Sequence, residues 1–172
     1  RVLGIEPSES HARAAALRGI PTINSFLSEE CSAEAVADFG PAALVCANYV
    51  AANVPDPLGF FSSLRAMLQP TGAISIITGY QPDQFAIGMF EYINHDHLSY
   101  FSVQSASELG AAIGLRLVSA RRIEHKGGSI HLLFRPVEAD IQADWSVTQL
   151  LQRENWIGAN SPEIVEGLSR RV

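Results

Sequence analysis

Short apolar segments that alternate with helix-like segments most restrict how this chain can fold. RVLGIEP, AALVCANYV and AISIITGY each predict a buried strand, and the small and β-branched residues of the second favour coverage on both faces. Helix signals separate them. Asp56 before Pro57 predicts a helix start, and Pro70 with Gly72 predicts its end. This alternation predicts an α/β fold with a doubly wound, mainly parallel sheet.

The pattern changes after residue 80. Residues 81–102 read as irregular, and SVQSASELGAAIG reads as a serine-capped helix. Two strands, LRLVSARRIEH and SIHLLFRP, flank Lys126-Gly127-Gly128 and predict a C-terminal antiparallel hairpin. Helices over 147–156 and 161–172 follow. We therefore expect one partial domain over residues 1–145 and a helical linker over 146–172, leading to a further domain.

The chain starts within its first strand, whereas a nucleotide-binding α/β domain opens with an earlier strand and a glycine-rich turn. The predicted sheet therefore lacks its first strand and its glycine loop. Buried backbone groups without partners are costly. We accordingly expect the chain by itself to be marginally stable or oligomeric, and inactive. The sequence leaves the oligomeric state open.

Composition narrows the classes of partner and compartment. The net charge is −6 and the basic residues are scattered, which argues against nucleic acid. No apolar run is long enough to span a bilayer. Cys31 and Cys46 form neither a disulfide framework nor a metal spacing. Cys46 lies within an apolar run and is predicted to be a reduced core residue, which favours a cytoplasmic protein.

Polar residues follow the predicted strands where an α/β fold binds its ligands. Glu6 ends the first strand, where a carboxylate accepts the ribose hydroxyls of an adenosine; the alternative is a solvated carboxylate. Asn24, Ser25 and Phe26 follow the second strand and flank a possible adenine site, although Phe26 equally suits the core. Asn48 precedes Tyr49 at the same sheet edge, and it could equally cap a turn.

His95, Asp96 and His97 form the densest chemical cluster. A neutral imidazole takes a proton near pH 7, and a neighbouring carboxylate orients it. Two alternatives compete with this general base. The H-x-H pair could bind a metal, although no third and fourth ligands are evident, or the polar segment could be structural. We predict no metal site.

Three stretches together carry a family resemblance: VLGIEPS, CANYVAANVPDPLGFFSSLRAMLQPTG, and FEYINHDHLSYFS with the later KGGSIH. They resemble the deoxysugar C-methyltransferases, which are class I S-adenosylmethionine-dependent methyltransferases, over roughly residues 1–155. The resemblance implies S-adenosylmethionine as cofactor and a nucleotide-linked sugar or similar small molecule as substrate. It also implies that His97 is the base, supported by His95 and Asp96. The cofactor residues that we predict are Glu6, Pro7, Ser25, Phe26, Asn48 and Tyr49.

The chain departs from the family pattern at three positions. Asn53 replaces a histidine, Asn94 a tyrosine and Asp96 a glutamate, and an asparagine cannot shuttle protons. O-methylation is therefore an alternative to C-methylation. Two further alternatives are a nicotinamide-dependent dehydrogenase and a non-catalytic fragment that is unable to bind cofactor. The glycine pair after Lys126 permits either close approach of a phosphate or a plain turn. The predicted substrate residues are Asn53, Tyr80, Asn94, Tyr100, Lys126 and Gly127.

Overall fold

A computed structural model describes residues 1–89 and 92–163 of the chain. The helix predicted over 161–172 therefore lies almost entirely outside the described residues. The described part contains six strands and six α-helices, which alternate as far as α4. They are β1 (Gly4–Ile5), α1 (Glu9–Leu17), β2 (Thr22–Ile23), α2 (Glu29–Phe39), β3 (Ala42–Asn48), α3 (Pro57–Ala66), β4 (Leu68–Gly79), α4 (Gln81–Ala86), α5 (Val103–Ala112), β5 (Leu115–Ile123), β6 (Ser129–Pro136) and α6 (Trp145–Trp156).

The described strands form two sheets. β1 and β2 pair in parallel with each other, and the remaining four strands form a sheet in the order β3-β4-β6-β5. In that sheet β3 and β4 are parallel, whereas β4–β6 and β5–β6 are antiparallel. The predicted α/β class and C-terminal hairpin are confirmed. Parallel pairs do not outnumber antiparallel ones, however. No helix in the described part is long and apolar enough to cross a membrane.

Local capping chemistry sets where the helices begin. Asp56 accepts a hydrogen bond from the backbone N–H of Gly59 at 3.0 Å, with Pro57 as the first residue of α3, as predicted. Ser102 caps α5 in the same way and forms a reciprocal capping box with Ser105. These short side chains satisfy amide groups that have no partner inside the helix.

The predicted end of α3 at Pro70 and Gly72 is wrong. The helix ends at Ala66, and β4 begins at Leu68 and includes Pro70. The chain starts to pair with β3 immediately after the helix, because the N–H of Ala42 donates to the carbonyl of Met67 at 2.7 Å. Strand pairing thus begins upstream of the proline that we expected to stop the helix.

The core lies between α3, α5 and the four-stranded sheet. Ile74 and Ile76 of β4 and Phe134 of β6 are fully buried. Phe61 of α3 contacts Phe134 edge-on, with ring centroids 5.6 Å apart. β4 is the strand on which this packing depends, since it alone joins the parallel pair to the antiparallel hairpin.

β3 is less covered than its sequence indicates. Cys46 is exposed and Leu44 is 56 % exposed, so the prediction of a core cysteine on a strand covered on both faces is wrong. The reason is topological. Among the described strands β3 pairs only with β4, so it forms an edge of its sheet. Residues 81–102 also differ from expectation, since they begin with the helix α4.

A buried carboxylate connects three elements behind the sheet. Glu154 of α6 is 0 % exposed and accepts hydrogen bonds from the Tyr80 hydroxyl at 2.9 Å and from the N–H groups of Val103 and Gln104. Burial, and secondly the adjacent Glu154 carboxylate, raise the pKa of Tyr80, so the phenol stays a donor. Tyr80 is itself fully buried and bound to Glu154, and its contact with substrate stays a prediction.

α6 packs against β5 and buries Val147 and Leu150. The N–H of Ala120 also donates to Ser146 Oγ at 3.1 Å. The first half of the segment 146–172 thus contributes to the core. The division into a domain over 1–145 and a linker over 146–172 stays a prediction.

We expect Glu154→Ala to lower the free energy of unfolding by about 3 kcal/mol or more, because two buried donors and one partly buried donor lose their acceptor. Urea denaturation monitored by circular dichroism measures this. Glu108→Ala on the exposed side of α5 is the matched control, with an expected loss of about 0.5 kcal/mol or less. Equal losses in the two variants would contradict the role given to Glu154.

Candidate active site

A cavity of about 130 Å³ lies beyond the carboxyl ends of β3 and β4, against the hairpin between β5 and β6. Three tyrosines, one histidine, one lysine and several small polar residues line it. The described lining consists of Tyr49, Ala52, Asn53, Thr78, Gly79, Gln84, Tyr92, His97, Ser99, Tyr100, Lys126 and Ser129. The cavity therefore brings His97 together with four other predicted site residues: Tyr49, Asn53, Tyr100 and Lys126.

His97 is held in one orientation by the backbone. Its Nδ1 lies 2.8 Å from the carbonyl oxygen of Tyr92, and the two rings stack with centroids 5.7 Å apart. A carbonyl oxygen only accepts, so this contact assigns the proton of the neutral imidazole to Nδ1. Nε2 then carries the lone pair and has no hydrogen-bond partner among the described residues. Nε2 of His97 is thus left able to accept a hydrogen bond or a proton.

The segment that carries His97 is fixed to the turn after β3. The N–H groups of Leu98 and Ser99 both donate to the carbonyl of Ala52, at 2.8 and 3.0 Å. Asn94 Oδ1 accepts from the N–H groups of Asp96 and His97, at 2.9 and 3.1 Å. Asn94 thus shapes the turn. We predicted that it contacts substrate, but it is not part of the described lining of the cavity.

His95 and Asp96 do not support His97 in the way we predicted. His95 Nε2 pairs with Asp96 Oδ1 at 3.2 Å, and the His95 side chain is 92 % exposed. The orienting acceptor of His97 is the carbonyl of Tyr92 instead. Adjacent residues in an extended or turning segment point in different directions, which separates this surface pair from the cavity.

Tyr49 has a strained backbone that turns its side chain into the cavity wall. Its φ is +55°, a left-handed conformation that is an outlier for a bulky residue. The phenol donates to Ser129 Oγ at 3.3 Å, and Lys126 Nζ lies 4.0 Å from the ring centroid, a cation–π contact. Tyr49, predicted as a cofactor residue, thus lines the same cavity as His97.

The glycine pair of the hairpin is explained by the turn. Lys126, Gly127 and Gly128 all have positive φ. A Cβ on Gly127 would overlap the side chain of Met89, and one on Gly128 would lie 2.7 Å from Asp83 Cβ. The turn alternative therefore accounts for both glycines. Lys126 lines the cavity, whereas Gly127 is not part of the lining.

The other predicted cofactor residues lie at the carboxyl ends of β1, β2 and β3, outside the cavity lining. Glu6 Oε1 accepts from the N–H of Ser8 at 2.8 Å. Asn24 Nδ2 donates to the carbonyls of Glu6 and Pro7, which ties the ends of β1 and β2 together. Phe26 is 77 % exposed, so the alternative that it belongs to the core is wrong. The remaining two are Ser25, which is half-buried, and Asn48, which is exposed.

No family model matches the chain. The C-methyltransferase NovU of Streptomyces niveus is 31 % identical over 154 residues, which are 90 % of this chain and 37 % of that protein. The chain thus spans little more than a third of this curated relative. An S-adenosylmethionine-dependent methyltransferase of Anabaena variabilis superposes with a TM-score of 0.62 at 15 % identity, over 79 % of this chain and 68 % of that one.

The chain has the class I methyltransferase fold. The 1,6-didemethyltoxoflavin-N1-methyltransferase of Burkholderia thailandensis, with bound 1,6-didemethyltoxoflavin and S-adenosylhomocysteine, superposes with a TM-score of 0.56 at 17 % identity, over 79 % of this chain and 61 % of that one. The resemblance to C-methyltransferases found in the sequence motifs is confirmed by the NovU match.

Sequence reasoning missed several residues that this methyltransferase fold brings to the cavity. Thr78 was hidden within an apolar strand. Tyr92 acts on His97 through its carbonyl group, which has no sequence signature. Gln84 and Ser129 come from α4 and β6, and only the tertiary fold places them together. Among residues 1–89 and 92–163, no three His, Cys, Asp or Glu side chains are close enough to hold a metal ion.

We expect the neutral imidazole of His97 to carry its proton on Nδ1, because Tyr92 offers only an acceptor. Long-range ¹H–¹⁵N correlation spectra above the imidazole pKa distinguish the two tautomers, and His97→Gln identifies the signal. Asp96→Asn is the informative control and should leave the tautomer unchanged. A tautomer with the proton on Nε2, or one that changes in Asp96→Asn, would contradict this arrangement.

Proposed function

We propose that this chain belongs to an enzyme that transfers a methyl group from S-adenosylmethionine to carbon of a nucleotide-linked sugar or a similar small acceptor. The observation that carries the proposal is the orientation of His97. Its Nδ1 contacts the carbonyl of Tyr92, so Nε2 carries the lone pair and is the base that we assign to the cavity. The similarity to a C-methyltransferase supports the same reaction. A cytoplasmic location stays a prediction.

The residues at the strand ends fit the adenosine of this cofactor. Glu6 uses only Oε1 in its contact with Ser8, so its carboxylate can accept from ribose hydroxyls. The exposed ring of Phe26 offers an apolar face to adenine, and Asn48 would bind the methionine end. When bound, S-adenosylmethionine supplies an electrophilic methyl group on sulfonium sulfur.

Carbon methylation requires a carbon whose proton can be removed, and that carbon lies beside a carbonyl group. His97 Nε2 takes the proton, and the C–H electron pair forms a C=C bond while the carbonyl π pair moves to oxygen. The resulting enolate carbon attacks the methyl group and the carbonyl re-forms. The electron pair of the broken S–C bond stays on sulfur, and imidazolium loses its proton to solvent.

The cavity contains one cation among its described lining residues, the Lys126 ammonium group. It lies over the Tyr49 ring, and its charge suits an acceptor that carries phosphate. A deprotonated hydroxyl would also attack the methyl group. O-methylation is therefore the alternative outcome, which the position of the methyl group in the product separates from C-methylation.

We expect S-adenosylhomocysteine to bind, and Glu6→Ala to weaken binding about 10- to 100-fold, because hydrogen bonds to a charged group contribute about 1.5–3 kcal/mol. Isothermal titration measures this, with Glu9→Ala on the exposed face of α1 as the matched control. Equal affinity in the two variants would refute the role of Glu6. No binding to the unmodified chain would favour the non-catalytic alternative.

We expect His97→Gln to reduce methyl transfer about 10²- to 10⁴-fold, the usual contribution of a general base. Transfer of labelled methyl to a nucleotide-linked keto-sugar, catalysed by a longer protein that contains this chain, measures the rate. The affinity for S-adenosylhomocysteine should not change, and His95→Gln should reduce the rate little, since His95 lies on the surface. A loss in His95→Gln as large as that in His97→Gln would refute the assignment.

A further inference from the structure

Thr78 lies near the carboxyl end of β4, opposite Ile130 of β6, and it lines the cavity that contains His97. Its side chain is 1 % exposed, and its hydroxyl has no hydrogen-bond partner among the described residues. A hydroxyl buried without a partner destabilises a fold, so a buried orphan in a cavity wall calls for an explanation.

Three polar side chains that line the cavity together with Thr78 already have partners. The Tyr49 phenol donates to Ser129, and Ser129 in turn donates to the carbonyl of His125 at 2.9 Å. Gln84 Nε2 donates to the carbonyl of Gly128 at 3.1 Å. Thr78 therefore differs from its neighbours. Its hydroxyl is positioned by a central strand but is not used by the fold.

We propose that the Thr78 hydroxyl donates a hydrogen bond to the carbonyl oxygen of the acceptor, the atom that becomes negative when His97 removes the neighbouring proton. This inference rests on the proposed function for the chemical class of the ligand, a ketone with an acidic α-carbon. The α-proton moves to Nε2 of His97, the C–H pair forms the C=C bond, and the carbonyl π pair moves to the oxygen that Thr78 contacts. Donors positioned at a developing oxyanion lower the barrier to its formation.

The size of the cavity agrees with a fragment of this kind. At about 130 Å³ it is smaller than the roughly 300–1,000 Å³ of sites that enclose drug-sized ligands. It takes the reacting ketone of an acceptor, while the remainder of a larger acceptor lies outside. Nearby, Lys126 provides the charge for a phosphate group.

Exchange of carbon-bound hydrogen in D₂O tests the proposal without S-adenosylmethionine. The probe is dihydroxyacetone phosphate, a small phosphorylated ketone, and NMR follows the loss of its α-protons. We expect the unmodified chain to accelerate exchange above His97→Gln. Thr78→Val should lower that acceleration about 10²- to 10³-fold, as for loss of one oxyanion donor. Thr78→Ser keeps the hydroxyl and should retain most of it.

Thermal melting supplies the readout that a structural role would not share. Thr78→Val replaces an unpartnered hydroxyl by a methyl group of similar shape, so its melting temperature should equal or exceed that of the unmodified chain. Thr148→Val, on the exposed face of α6, is the matched control for the substitution itself, and it should leave exchange unchanged.

Three results would overturn the proposal. They are exchange in Thr78→Val as fast as in the unmodified chain, a melting temperature several degrees lower in that variant, and exchange in the unmodified chain no faster than in His97→Gln. Failure of the proposed function is distinguishable, because it appears as absent binding of S-adenosylhomocysteine. Exchange that depends on Thr78 would survive that failure.

Discussion

The buried carboxylate of Glu154 is the contact on which the arrangement behind the cavity depends. It binds the first amide groups of α5 and the hydroxyl of Tyr80, which follows β4 directly. A second carboxylate, Asp83 of α4, binds Arg122 at 2.6 Å and Arg153 at 2.9 Å. α6 is thereby joined to the junction between β4 and α4. Since Thr78 and Gly79 immediately precede Tyr80, these contacts also fix one wall of the cavity.

The features that sequence predicted correctly are those with local causes. Asp56 and Ser102 cap helices because a short polar side chain reaches the next free amides, whatever the rest of the fold does. The hairpin after β5 requires positive φ at Gly127 and Gly128, which glycine provides. The exposure of Cys46 and the burial of Tyr80 depend on which elements pack against them. No local pattern contains that information.

The site shows the same division between local and tertiary causes. The motif around His97 correctly singled out a residue that lines the cavity, but it placed the orienting group on Asp96. Adjacent side chains in a turn diverge, and the carbonyl of Tyr92 supplies the acceptor instead. Any residue has a carbonyl group, so its role cannot be read from residue type. Thr78 was missed because threonine suits a buried strand as well as isoleucine does in size and branching.

Asn48 and Tyr49 are adjacent in one turn, but only Tyr49 lines the cavity. Asn48 ends β3 with an exposed side chain, beside the strand ends proposed for the cofactor, and Tyr49 turns into the cavity through its left-handed backbone. A strained conformation of this kind costs about 1–3 kcal/mol and persists only where surrounding contacts impose it. Those contacts come from the carbonyl of Ile77 and from Lys126 and Ser129 of the hairpin. The late antiparallel hairpin thus contributes to the cavity, since Lys126 and Ser129 line it and contact Tyr49.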